Sequence, residues 1–205
     1  MTKSTFAIEA IANFVSDYLK TKLSQNLVFH NYAHTKEVVF SVEELCRRNT
    51  SPGLKKEVAL TAAWFHDCGY SNVYEGHEEE SCKIAARFLE KVGASPEFIL
   101  EITACILATK YPQSPKTLEA EVLCDADFFH FARTDYDLHE QKLRKEWELC
   151  LNKVYTNTEW HQQNCCLLKN HQYFTRYGKT VLQKFKELNI ALMECSVQEL
   201  LGNVL

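Results

Sequence analysis

Apolar residues recur along this chain at intervals of three and four, the repeat of a helix with one buried face. In residues 4–23 the set Phe6, Ile8, Ile11, Phe14, Val15, Tyr18 and Leu19 falls on one side. Residues 34–48 repeat the pattern with Val38, Val39, Val42, Leu45 and Cys46 inward, and the NTSPG stretch at 49–53 breaks it. A third helix over 54–67 turns almost wholly apolar near its end, ALTAAWFHD. Gly69 lies just beyond, where a helix C-terminus favours a left-handed residue. A loop at 70–77 leads to a fourth helix with Ile84, Ala85, Phe88 and Leu89 inward. Ser95 caps a fifth, which has Pro96 at its first position and runs to about Thr109. Further helices are predicted over 117–131, 135–154, 158–174 and 179–200. In the second of these Leu143, Trp147 and Leu151 stack at i, i+4 spacing, which reads as core.

Composition supports helices over strands, because six Gly and four Pro in 205 residues supply few tight turns. The expectation is an all-α bundle of about eight to nine helices in a single domain over 1–205. A formal charge of −4 argues against an extended nucleic-acid surface, which relies on bulk positive charge. No run approaches the roughly 18 apolar residues that span a bilayer, so no membrane segment is predicted. Glu9 and Asp17 interrupt the apolar pattern at the N-terminus, which speaks against a signal peptide and for a cytoplasmic location. Nine cysteines occur without a CxxC pair. Most lie in apolar helical stretches and read as reduced core fillers, and the missing spacing argues against a cysteine-based zinc or redox protein.

Chemistry enters with the histidines and aspartates. His66 and Asp67 end an apolar helix, where an unpaired carboxylate would cost several kcal/mol to bury and so calls for a cation or strong donors. Neighbours on a helix diverge by about 100°, so the pair can grip one ion only in the wedge between them, near the helix end. Asp125 sits in a second apolar stretch, EVLCDADFFHFA, on the side of Leu118, Val122 and Phe129. Asp127, about 200° around a regular helix from it, reads as a surface or supporting group. His34 opens the second helix. His34, His66, Asp67 and Asp125 would supply two imidazoles and two carboxylates, a set suited to Mn, Fe, Co, Ni or Mg rather than to a closed structural zinc site.

These residues resemble the signature of the HD superfamily, His … His-Asp … Asp on a helical bundle. The separations fit, with 32 residues from His34 to His66 and 58 from Asp67 to Asp125. More narrowly the chain is similar to predicted metal-dependent HD phosphohydrolases of bacteria. Their pattern reads roughly YHNxxH, WFHDxxY, NExxSA, an I-x-x-T turn, DADL and R-x-E-Y/W. Here it stands as FHNYAH (29–34), WFHDCGY (64–70), HEEESC (77–82), ILATK (106–110), DADF (125–128) and RKEW (144–147). The resemblance covers an HD core of about 25–150 and implies that helices over 151–205 pack on it.

The resemblance implies a phosphohydrolase in which a divalent metal activates a water against a small phosphoester, a nucleotide being the first expectation. A metal-keeping, non-catalytic sensor of the same fold is the alternative. Glu78, at the acidic position of the family's NE element, could orient or deprotonate the water, and it could equally belong to a solvated Glu78–Glu80 run. Asp67 and Lys110 complete the candidate catalytic set, Lys110 as a point charge for a phosphate. Arg144 could reach a phosphate or carboxylate, Trp147 reads as core, and His30 as an orienting residue. Binuclear members carry two further histidines; His77 could be one, but Thr109 and Lys110 stand where the other falls, so a single ion is expected. The Glu-Asp pair of guanosine tetraphosphate hydrolases is replaced by Cys68, Gly69, Tyr70 and Ser71. Oligomeric state is left open, with a homodimer compatible.

Overall fold

The structure, a computed structural model, describes residues 3–49 and 51–202, with side chains described for 8–49 and 51–195. Phe6 therefore lies outside the described side chains. All regular elements among the described residues are helical: α1 (Lys3–Lys22), α2 (Tyr32–Arg48), α3 (Lys56–Phe65), α4 (His77–Lys91), α5 (Pro96–Ala108), α6 (Leu118–Asp127), α7 (Tyr136–Leu151), α8 (Asn157–Asn170) and α9 (Gln183–Gly202). Short 3-10 turns follow α3 (Cys68–Ser71) and α6 (Phe129–Ala132), and a π turn (Gly178–Leu182) leads into α9. The chain is thus the all-α bundle that its periodicity predicts.

Helix α3 runs through the middle, touching α1, α2, α5 and α6. Every residue from Val58 to Phe65 is buried, which is why this segment is apolar on all sides rather than on one stripe. Its neighbours turn Val15, Leu19, Val42, Leu45, Ile102 and Leu123 onto it to form the main core. Helices α8 and α9 pack on each other and on the turn after α6, around a second, smaller cluster of Phe131, Tyr136, Cys165, Leu168 and Met193.

Several elements depart from the sequence pattern. A continuous helix over 117–131 is predicted, but α6 stops at Asp127. His130 Nδ1 lies 3.0 Å from the Asp127 carbonyl, and the Phe131 amide bonds to Phe128 rather than one residue further back. The ladder tightens into a 3-10 turn there. The predicted helix over 158–174 ends at Asn170, because the backbone beyond it is claimed by other groups: Lys186 Nζ donates to the His171 carbonyl, and Asp125 accepts the Phe174 and Thr175 amides.

Gly69 also has a different role from the one its position suggests. It does not adopt a left-handed conformation; a Cβ there would stand 1.9 Å from the His77 carbonyl oxygen. Its amide donates to Ser81 Oγ at 2.8 Å. The missing side chain lets the turn after α3 lie directly against the start of α4. Of the nine cysteines only Cys68, Cys105, Cys124 and Cys165 are buried, and Cys166 and Cys195 are exposed. No described helix is long and apolar enough to cross a membrane.

Candidate metal centre

Local backbone chemistry fixes each side chain of the centre. Asn31 caps α2 by accepting the amides of Ala33 (2.9 Å) and His34 (3.4 Å), so the His-Asn-x-x-His stretch starts a helix with His34 on its inner face. At the other contributor, α3 ends at Phe65 and Asp67 takes φ −105° and ψ 5°, the sparsely populated bridge region where many active-site residues sit. This break opens the wedge between His66 and Asp67. His66 Nδ1–H donates to the Ala63 carbonyl at 2.8 Å, which fixes the tautomer and leaves Nε2 as a lone pair.

His34, His66 and Asp127 converge, and Asp67 approaches both imidazoles. Asp67 Oδ2 lies 3.4 Å from His34 Nε2 and 3.2 Å from His66 Nε2. Asp127 Oδ1 lies 3.4 Å and 3.6 Å from the same two nitrogens. His34, His66 and Asp127 each offer a ligand atom within 4.8 Å of the others, close enough for one cation to be shared. His34 Nε2, His66 Nε2 and Asp67 Oδ2 are all buried without a hydrogen-bond partner. Three orphaned buried polar atoms aimed at one another would be costly unless an ion satisfied them. The cluster could therefore hold a divalent metal with two nitrogen and two oxygen donors.

The structure corrects the last aspartate. Asp125 is buried, as its position among apolar residues implies, but it points into the connection between α8 and α9. There it accepts the amides of Phe174 (2.7 Å) and Thr175 (2.9 Å) and the Thr175 hydroxyl (2.6 Å). Gly178 packs so closely on it that a Cβ would sit 2.2 Å from its Oδ2. Asp127, read from sequence as a surface or supporting group, takes the place in the cluster.

Electrostatics separates the two aspartates in the same way. Burial pushes the Asp125 carboxyl up to about 6, only partly opposed by its hydrogen bonds. Burial acts on Asp127 and Asp67 too, but the neighbouring imidazoles of His66 and His34 outweigh it and hold both carboxyls below their ordinary range. His66 shows the complement: burial lowers its basicity, and the two carboxylates more than reverse that.

A cavity of about 490 Å³ opens from the cluster. His30 stands on its wall, held by Glu146, which is fully buried in α7. Glu146 accepts the amides of Phe29 (2.7 Å) and His30 (2.9 Å), the Tyr74 hydroxyl (2.9 Å) and a short bond of 2.5 Å from His30 Nδ1. His30 Nε2 is 3.3 Å from the Tyr70 hydroxyl, and Tyr70 stacks between His30 (4.3 Å) and His77 (3.8 Å). His77 Nε2 reaches to 3.7 Å of Asp67 Oδ1. Sequence reasoning passed over Glu146; the signal available was a carboxylate inside the apolar stripe of the RKEW element.

The remaining candidates fall unevenly. Glu78 is buried on the cavity wall, unlike Glu79 and Glu80 beside it, which pair with Lys110 and with Lys83. Lys110 lies at the cavity rim, exposed and ion-paired. Arg144 is directed elsewhere: it donates to the Asn157 side chain (2.8 Å) and the Tyr155 carbonyl and braces the α7–α8 connection. Trp147 is half-buried and lines the cavity with Leu143 and Leu151, so the apolar stripe of α7 faces open space rather than core. Thr109 is buried on the same wall, where a binuclear site would need a histidine.

Comparison with known proteins bears on the fold and the family. No curated protein matches the sequence. A predicted HD superfamily hydrolase from an uncultured Thermotogales bacterium has a similar structure, with a TM-score of 0.57 and 18% identity over 95% of this chain and 91% of that one. A Lactobacillus plantarum protein is similar with a TM-score of 0.64 and 15% identity, covering 96% and 95%. At these identities the likeness shows the fold alone. The family model described as HD domain matches residues 31–132, the span that carries His34, His66, Asp67 and Asp127, and the chain belongs to the HD superfamily.

Proposed function

We propose that this protein is a metal-dependent phosphohydrolase acting on a small phosphoester, with nucleotides the first substrates to try. The observation that carries this reading is the convergence of orphaned ligand atoms from α2 and the end of α3 with the Asp127 carboxylate at the end of α6, beside a cavity that Asp67 and Asp127 line. His34, His66, Asp67 and Asp127 would hold one divalent ion. Such an ion lowers the pKa of a nearby water and neutralises charge on phosphoryl oxygens.

The chain's own groups would do the rest. Glu78, buried on the wall of the same cavity, would take a proton from the attacking water. His30, oriented by Glu146, faces the cavity and can donate to the leaving oxygen. Lys110 at the rim is tied to Glu79 and would have to leave that pair to meet a phosphate.

The test is turnover of a nucleotide panel and a generic phosphodiester with Mn²⁺, after chelation, and after reloading. Metal-dependent hydrolysis lost in Asp127→Asn supports the proposal. Stoichiometric metal binding without turnover of any substrate would point instead to a sensor of the same fold.

A further inference from the structure

Part of the cavity lining is unlike the metal ligands. From α7 come Leu143, Trp147 and Leu151 at i, i+4, i+8 spacing, and Phe128 and Phe131 line the same cavity. An amphipathic helix normally buries such a stripe against another element. Here the stripe is only half-buried and faces the cavity. Trp147 is held in place by a perpendicular contact with Trp160 at 5.6 Å and by Lys153 Nζ, 5.4 Å from its ring centroid. A rigid aromatic ring bordering an apolar slot suits a flat apolar body better than a sugar or a polyphosphate chain.

Charge points the same way. Among the described residues, Asp67, Glu75, Glu78 and Asp127 line the cavity against Lys110 and Lys153 alone. The carboxylates among these side chains outnumber the lysines by two, the charge of one divalent cation. Lys110 is already paired with Glu79. A single phosphoryl group can be neutralised at the metal end. A triphosphate would bring further negative charge against walls whose carboxylates outnumber their lysines and whose described residues include no arginine, a setting in which like charges repel.

Resting on the phosphohydrolase reading, we infer that the substrate is a phosphomonoester carried on a flat, largely apolar body, with Trp147 as its stacking platform and specificity-determining residue. Aryl phosphates carry such a body directly on the phosphoryl oxygen, and nucleoside monophosphates offer a flat base beyond their sugar; nucleoside polyphosphates add charge that the site does not match.

The experiment compares kcat/KM on 1-naphthyl phosphate, adenosine monophosphate, glycerol 2-phosphate and adenosine triphosphate with the Mn²⁺-loaded full chain. It also titrates the non-hydrolysable pair 1-naphthylphosphonate and methylphosphonate by calorimetry. The naphthyl ester should exceed the glycerol ester, and the monophosphate the triphosphate, each by about tenfold or more. Trp147→Ala should lower the naphthyl-to-glycerol ratio about tenfold, the size of one lost aromatic contact. Leu151→Lys, which keeps the ring and adds a cation, should raise the triphosphate-to-monophosphate ratio. Equal rates on all bodies, or equal phosphonate affinities unchanged by Trp147→Ala, overturn the inference even if the protein is a hydrolase. No turnover of any ester with Mn²⁺ bound overturns the hydrolase reading, and the phosphonate titration then judges the apolar wall by itself.

Discussion

The α3-centred half and the C-terminal half both bury polar groups, but only one leaves a set of them facing each other unsatisfied. In the C-terminal half, Glu140 accepts the Asn164 side chain (3.0 Å) and the Trp160 indole, Asn164 accepts the Tyr136 hydroxyl (2.7 Å), and Asn189 donates to the carbonyls of Phe131 (2.9 Å) and Arg133 (2.8 Å). Each of these groups has a partner within the protein, and the bonds tie α7 to α8 and α9 to the turn after α6. At the end of α3, by contrast, His34, His66 and Asp67 turn bare lone pairs toward one point. Buried polar groups with partners build a fold, and a convergent set without them implies a missing ion. The two aspartates of the DAD segment, two residues apart, divide along that line.

The largest effect expected from breaking this contrast is at Asp127. Asp127→Asn should cut metal-dependent turnover about a thousandfold, the several kcal/mol that an ion supplies to a phosphoryl transition state. Steady-state assays at matched folded concentration check this, and an activity within tenfold of the parent would contradict it. Asp125→Ala should instead act on stability. Leaving the Phe174 and Thr175 amides and the Thr175 hydroxyl without an acceptor should cost roughly 2–4 kcal/mol in urea unfolding.

Glu146→Gln comes next. It removes the carboxylate that holds His30 and the Phe29–His30 backbone, and kcat/KM should fall about 10- to 100-fold with metal content kept, as for other residues that orient a site. Gly69→Ala forces a Cβ toward the His77 carbonyl and should destabilise by about 1–3 kcal/mol, read as a lower denaturation midpoint.

The smallest effect concerns Lys186. Its ammonium is buried, and burial lowers its pKa to about 8. The unfolded chain holds that proton up to the ordinary lysine range near 10.5, while the fold gives it up from about 8, so Lys186 makes the protein more stable as pH rises through this window. Lys186→Met should flatten that rise by on the order of 1–2 kcal/mol relative to the parent. Stability curves of the two proteins that stay parallel from about pH 8 to 10 would dismiss it.

The same physics decides how far the chain could be read from its residues. The helical pattern was legible because each helix but α3 and α6 turns one face inward. His34, His66 and Asp67 were legible because they sit at helix ends beside apolar runs, where a charge has no ordinary partner. Asp127 was hidden by two things. Helix α6 is buried from Val122 to Ala126, so the side facing Leu118 and Val122 is not its only inner side. The helix also ends at Asp127, so the rotation of an ideal helix misplaces its last residue and those beyond. Trp147 was hidden because an apolar stripe reads alike whether it faces core or cavity. Glu146 was hidden because its four donors come from residues 29, 30 and 74, far off in sequence.

The most direct test is the bound-metal content of Asp125→Asn and Asp127→Asn, measured by mass spectrometry on folded protein after reloading with Mn²⁺. Near one ion per chain in Asp125→Asn, and almost none in Asp127→Asn, is the predicted result. Metal lost from the position-125 variant and kept in the position-127 variant would contradict the centre described above.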